Sequence, residues 1–239
     1  MALVFIALVF PLLAGGLPLN PSDCSDIYTN GKTLSGVYSI YPSGDSPVQV
    51  YCDMGCGSMS TKDGKWTVIQ RRMDGSINFY RPWSQYKSGF GKKDGEYWLG
   101  LETLYQLTQK KKYELVVELE DFENGMVNAK YSSFSVDSEA DGYKLHVSGY
   151  IDGGAGDALA NHNGQKFSTF DKDQDNISSE NCPLLYFGAF WYNSCHYANI
   201  NGVYMWGAHS RYGHGVIWQT WKGFYYSLKS VTMKIRPVS

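Results

Sequence analysis

DGEYWLGLETLYQLTQKKKYELVVELE, residues 94–120, changes its hydrophobic period part-way along, and that change decides the fold class. Trp98, Leu101, Leu104, Tyr105 and Leu107 recur at helical spacing. Asp94 can cap such a helix, so a helix is expected over Asp94–Lys112. Lysines 110–112 fall at its C-terminal end, where the helix dipole favours cations, and are expected to be solvated there. From Tyr113 to Glu120 the pattern switches to strict alternation, with Tyr113, Leu115, Val117 and Leu119 on one face of a strand. Working outward, Lys65–Arg72 (KWTVIQRR), Ala129–Val136, Tyr143–Tyr150 and Ser227–Ile235 also read as strands. A helix beside an antiparallel sheet gives an α+β domain. Asp152–Gly223 is rich in Gly, Asn and aromatics and has little periodicity. It reads as long ordered loops, the usual home of function on a sheet scaffold.

Bulk properties narrow the function. The 239 residues carry a net charge of −2, so no basic field exists to attract nucleic acid or an anionic membrane surface. Aromatic content is 15%, with 19 Tyr against 11 Phe, which suits surfaces where one ring edge stays wet, although most rings belong in a core. Leu3–Ala14 is an apolar run too short to span a bilayer, and Ala14-Gly15-Gly16 offers the small residues of a cleavage site. Residues 1–16 are therefore expected to be a signal peptide and 17–21 a short leader. The mature chain would be secreted, to the extracellular space or matrix. No repeat, collagen-like triplet or heptad segment supplies an oligomerisation stalk.

There are five cysteines: Cys24, Cys52, Cys56, Cys182 and Cys195. In an oxidising compartment an even subset pairs, each bridge contributing roughly 3–4 kcal/mol. Proximity favours Cys24–Cys52 and Cys182–Cys195, with Cys24–Cys56 the competing pairing. The cysteine left over is either a free thiol or an interchain bridge.

Chemistry concentrates between Phe167 and His196. Asp171, Asp173 and Asp175 alternate, which suits a hard cation such as calcium or, equally, a solvated acidic turn. An EF-hand is excluded, since Asn176 and Cys182 stand where that loop needs Gly and Glu. Asn176-Ile177-Ser178 is an N-glycosylation sequon within this loop, and Asn176 can also stand there unmodified. Cys195 is followed at once by His196. Zinc held by Cys182, Cys195 and His196 lacks a C-x2-C pair or second His partner. A bridged sulfur also cannot serve as a nucleophile. No paired carboxylates, nucleophile elbow or zincin motif points to an enzyme.

Cys24, GVYSIYPSG (36–44), Tyr51-Cys52-Asp53-Met54, KWTV (65–68), GEYWLG (95–100) and DFE (121–123) together resemble the fibrinogen C-terminal (fibrinogen-related) domain. So do GGAGD (153–157), FSTFD (167–171), YSLK (226–229) and MKIR (233–236). The resemblance covers 22–239. Within the family, DFENG and GGAGDAL look most like its microfibril-associated members.

The resemblance implies a small N-terminal subdomain, a central antiparallel sheet flanked by helices, and a loop-rich C-terminal subdomain that binds calcium and ligand. It implies the disulfides Cys24–Cys52 and Cys182–Cys195. It makes Asp173 and Asp175 the side-chain calcium ligands, with backbone oxygens near Ile177 and Ser179, while Asp171 supports the loop by hydrogen bonds. In acetyl-binding members an N-acetyl group enters a pocket beside this loop. Carried over, its walls are Tyr186, His196, Tyr212 and Gly213, with a cis Ser194–Cys195 peptide turning an N–H inward. Tyr192, Trp206 and Trp218 either extend that surface or belong to the core. A fibrin-type pocket would need an acidic group where Tyr186 stands, which argues against a clotting role.

The resemblance thus implies a calcium-dependent lectin for acetylated carbohydrates, in innate recognition or matrix association. The competing reading is an adhesion protein that binds elastic-fibre or collagen components without sugar dependence. No Arg-Gly-Asp motif is present, and Cys56 is the visible candidate for linking a homo-oligomer.

Overall fold

The computed structural model of the chain describes residues 20–44, 46–55 and 64–238. The expected signal segment and Cys56 lie outside the described residues. The first half of the chain runs α1 (Cys24–Thr29), β1 (Gly36–Ile40), β2 (Val48–Asp53), β3 (Trp66–Arg72), α2 (Trp83–Ser88), β4 (Phe90–Gly91), β5 (Tyr97–Trp98) and α3 (Leu101–Lys110). Three long strands follow: β6 (Tyr113–Glu120), β7 (Met126–Val136) and β8 (Leu145–Gly153). After them come only short elements: α4 (Cys182–Tyr186), β9 (Ala198–Asn199), β10 (Gly207–Ala208), β11 (Ile217–Trp218), α5 (Gln219–Lys222) and β12 (Tyr226–Ser227). Strand β13 (Ser230–Pro237) then closes the fold.

The main sheet is antiparallel in the order β1-β2-β3-β13-β6-β7-β8, with β5 and β4 appended to β3. The last strand therefore sits at the centre, between β3 and β6. Burial explains its sequence: Val231, Met233 and Ile235 are solvent-excluded, as a central strand requires. Leu115, Val117 and Leu119 are buried on β6, and α3 packs on β7 with Leu101, Leu104 and Leu107 inward.

The helix expected over Asp94–Lys112 is shorter than its spacing suggested. Tyr97 and Trp98 pair with Arg71 and Gln70 as a strand, and α3 starts only at Leu101. Asp94 does not cap it; the cap position is Gly100, at φ +111°. A Cβ there would sit 2.9 Å from the Gly89 nitrogen and the Lys87 oxygen, so the chain must turn at a residue without one. Glu96 is occupied elsewhere. Its buried carboxylate accepts backbone N–H groups of Met73 (2.9 Å), Gly75 (3.1 Å) and Ile77 (2.9 Å) and faces the Arg72 guanidinium at 3.4 Å. Arg72 in turn donates to the carbonyls of Ile200 and Gly202, at 3.0 and 2.7 Å. A charged pair under the sheet thus anchors the C-terminal loops to it.

Lys111 is not simply solvated. It bridges Asp23 at 2.9 Å and Asp26 at 3.0 Å, tying the end of α3 to α1, whose N-terminus Asp23 caps. Cys24 is bonded to Cys52, which fastens α1 to β2.

Candidate functional site

Two loops of the C-terminal half meet, one before α4 and one after it. In the first, Asp175 accepts the N–H of Ile177 on one carboxylate oxygen and that of Cys182 on the other, both at 2.8 Å. Asp173 accepts the Asp175 N–H at 3.2 Å. These turns bring the two carboxylates together. Burial, then the negative charge of Asp173, raise the Asp175 pKa, while the two backbone donors hold it back. Neither aspartate has an ion-pair partner among the described residues. Two crowded carboxylates without a cationic side chain fit a bound cation chemically. Among the described residues no group of three or more His, Cys, Asp or Glu side chains is placed to hold a metal. The remaining ligands would be carbonyls and water, which calcium accepts and zinc disfavours. Ile177 packs on the core, while Ser179 lies exposed two residues further on. Asp171 stands apart from the pair: it accepts from the Trp83 N–H (2.8 Å) and the Thr169 hydroxyl (2.7 Å), pinning the loop to α2.

The second loop is tied to the first by the Cys182–Cys195 disulfide and carries a cis Ser194–Cys195 peptide. Here the expected wall residues meet. The rings of Tyr186 and His196 are edge-to-face with centroids 4.6 Å apart. Gly213 closes the corner at φ +71°, where a Cβ would fall 2.5 Å from Tyr186 Cε1 and 3.3 Å from His196 Nε2. Tyr212 is 51% exposed and stacks on Phe224 at 4.6 Å, which also faces His196 at 6.0 Å.

His196 is the unusual member. It is only 6% exposed, yet neither ring nitrogen has a hydrogen-bond partner. Burial, then the neighbouring His162, push its pKa down to about 3, with the nearby Gly213 backbone offsetting part. It is therefore a neutral imidazole with no well-formed hydrogen bond, its one polar approach being to the Gly213 backbone.

Below it, His162 is the brace. Its Nδ1 donates to the Trp191 carbonyl at 2.7 Å, and its Nε2 accepts the Ala198 N–H at 2.9 Å. Burial pushes its pKa down to about 4 against the opposing Trp191 carbonyl. Tyr192 and Trp218 do not extend the surface: both are fully buried. Tyr192 instead donates to Asn199, whose amide holds the Tyr186 carbonyl at 3.2 Å. Trp206 is exposed, at 66%, and stacks edge-on to Tyr204 rather than on the pocket. Phe224, His162 and Asn199 were not anticipated. Phe224 and His162 come from segments distant in sequence from His196, while Asn199 is close in sequence but acts on the Tyr186 carbonyl at the end of α4.

Residues 20–238 match the family described as fibrinogen beta and gamma chains, C-terminal globular domain. The chain belongs to that family. It is 58% identical over 222 residues to microfibril-associated glycoprotein 4 of Bos taurus, a match covering 90% of this chain and 85% of that one. The Homo sapiens protein of that name is 57% identical over the same shares of the two chains. Among solved structures, the fibrinogen-like globe domain of human ANGPTL6 superposes with a TM-score of 0.84 at 45% identity, covering 92% of this chain and 96% of that one. Lamprey fibrin D-dimer, complexed with a Gly-His-Arg-Pro-amide peptide, gives 0.83 at 36% identity over 93% and 76%. This is a family of recognition and matrix proteins, and the chain is not an enzyme.

Proposed function

We propose that this chain is a secreted, calcium-dependent lectin-like protein that binds acetylated glycans, with residues 1–16 a signal peptide, 17–21 a leader and 22–239 the recognition domain. Asp173 and Asp175 supply the carboxylates for calcium, with backbone oxygens at Ile177 and Ser179. An acetyl methyl contacts the Tyr186 and Tyr212 rings. Its carbonyl takes a donor from His196 and from the backbone of the Ser194–Cys195 loop, and Gly213 leaves room for both. The observation that carries this reading is the buried imidazole of His196, which makes no well-formed hydrogen bond and packs against aromatic rings. A small neutral ligand with one apolar end and one acceptor answers that site, whereas a cation does not. Calcium acts at a distance here, by fixing the loop to which the disulfide ties Cys195.

A single acetyl group offers few atoms, so each site binds weakly and useful avidity needs several linked sites. Cys56 is the candidate link; non-reducing gels of wild type and Cys56→Ser test it. Competition by free N-acetylglucosamine or acetate, with and without EDTA, tests the lectin reading. Ligand retained under both conditions would refute it.

A second reading is an adhesion protein of elastic-fibre or collagen matrix that binds protein rather than sugar. It draws on the relatives named for microfibrils and on Trp206, a large exposed ring away from the pocket. Trp206→Ala would then abolish matrix binding while leaving sugar competition unchanged.

A further inference from the structure

Asn176 heads the sequon Asn176-Ile177-Ser178, and its side chain is exposed, so an attached sugar would meet solvent. The hydrogen bonds of its amide nevertheless argue against attachment. Nδ2 donates to Gln165 Oε1 at 2.6 Å and to Asn193 Oδ1 at 2.9 Å, which uses both of its hydrogens. Its backbone N–H donates to the Asn193 carbonyl at 3.1 Å. Asn193 continues the chain of contacts, since its own N–H donates to the Cys195 carbonyl at 2.8 Å. Asn176 follows Asp175 directly, and Asn193 directly precedes Ser194. Two residues therefore zip the cation loop to the pocket loop, independently of the Cys182–Cys195 bond.

An N-glycan replaces one of the two Nδ2 hydrogens with a sugar carbon. With acceptors already seated against both, attachment must expel Gln165 or Asn193. We propose that Asn176 stays unglycosylated in the folded protein and acts as the positioning residue that couples the cation loop to the loop bearing Ser194 and His196. Occupying the sequon and holding the site are alternatives. The coupling to a binding site rests on the function proposed above; the absence of the glycan does not.

The test uses full-length protein secreted from mammalian cells, as wild type, Ser178→Ala and Asn176→Ala. Ser178→Ala destroys the sequon and keeps the amide, whereas Asn176→Ala removes both. Peptide mass spectrometry after glycosidase treatment in oxygen-18-labelled water reads occupancy, since the released Asp carboxylate retains one oxygen from the water. Amide hydrogen exchange in calcium reads the 193–196 segment. The expected result is an unoccupied Asn176 in wild type and wild-type exchange in Ser178→Ala. Asn176→Ala should exchange about tenfold faster across 193–196, the scale of losing one or two modest hydrogen bonds. If Asn176→Ala is not secreted, Gln165→Leu removes one acceptor, leaves the sequon intact and should loosen the same segment. A glycan on Asn176 of folded, secreted protein would overturn the proposal, as would equal exchange in Asn176→Ala and Ser178→Ala. Loosening without any acetyl-sugar binding by wild type would instead refute only the lectin reading.

Discussion

Gly213→Ala tests the pocket wall with a single carbon atom. The residue sits at φ +71°, where an L side chain costs about 1–2 kcal/mol. The new Cβ would lie 2.5 Å from Tyr186 Cε1 and 2.9 Å from Cδ1, so the ring must retreat by about 1 Å to reach ordinary contact. It cannot retreat toward His196, against which it is already packed at 4.6 Å. It must tip outward, into the space assigned to the acetyl methyl. The combined loss is about 2–3 kcal/mol, a fall in melting temperature of roughly 5–10 °C for a chain of this size. Gly31→Ala is the control: its φ is +86° but nothing lies within 4 Å of the added carbon, so it carries the backbone cost alone. Melting in calcium and surface-plasmon binding to an immobilised multivalent N-acetyl ligand are measured for both. Gly213→Ala should lose binding by more than about tenfold, while Gly31→Ala keeps it. A folded Gly213→Ala protein that binds with wild-type avidity would refute the wall assignment.

Asp173→Asn should shrink the rise in melting temperature that calcium produces in wild type, and wild-type melting that is identical in calcium and EDTA would remove the cation assignment. Glu96→Gln strands the buried Arg72 and should cost about 3–5 kcal/mol, lowering the melting temperature by roughly 10 °C in thermal denaturation. His162 is held neutral, its pKa falling from 6.5 to about 4 on folding. The unfolded chain therefore binds the extra proton between those values, so this contribution is intact above pH 6.5 and falls by about 3 kcal/mol as pH drops to 4. Denaturant titrations from pH 7 to 4 should show a smaller loss in His162→Asn than in wild type, though not none, since buried His196 acts in the same direction.

The parts of the fold that were legible are those where one period governs a whole segment. Tyr113–Glu120 alternates because one face of β6 meets the core, and its bounds in the structure are those its pattern gives. The helix before it was overextended because Trp98 happens to fall in phase with Leu101 and Leu104. What stops the helix is the turn at Gly100 and the engagement of Glu96 with residues 73–77, a long-range fact that no local period records. Likewise Lys111 looked like a dipole-matched surface cation because its partners, Asp23 and Asp26, lie in another element.

The site divides along the same line. The alternating aspartates and the adjacent Cys195-His196 pair are visible locally, because carboxylates sharing one turn and a short bridge both show as close spacing. What makes the neighbourhood rigid is not local. His162 braces 191–198 from below, Asn199 fixes the Tyr186 carbonyl, and Arg72 holds the carbonyls of Ile200 and Gly202 to the sheet. Each is a polar side chain satisfying backbone groups that no strand or helix satisfies. A loop region poor in regular structure must meet its buried N–H and C=O groups in this way. That requirement accounts for the polar, aperiodic sequence of residues 152–223. It also separates two buried histidines: His162 is bonded through both ring nitrogens, whereas His196 makes no well-formed hydrogen bond through either.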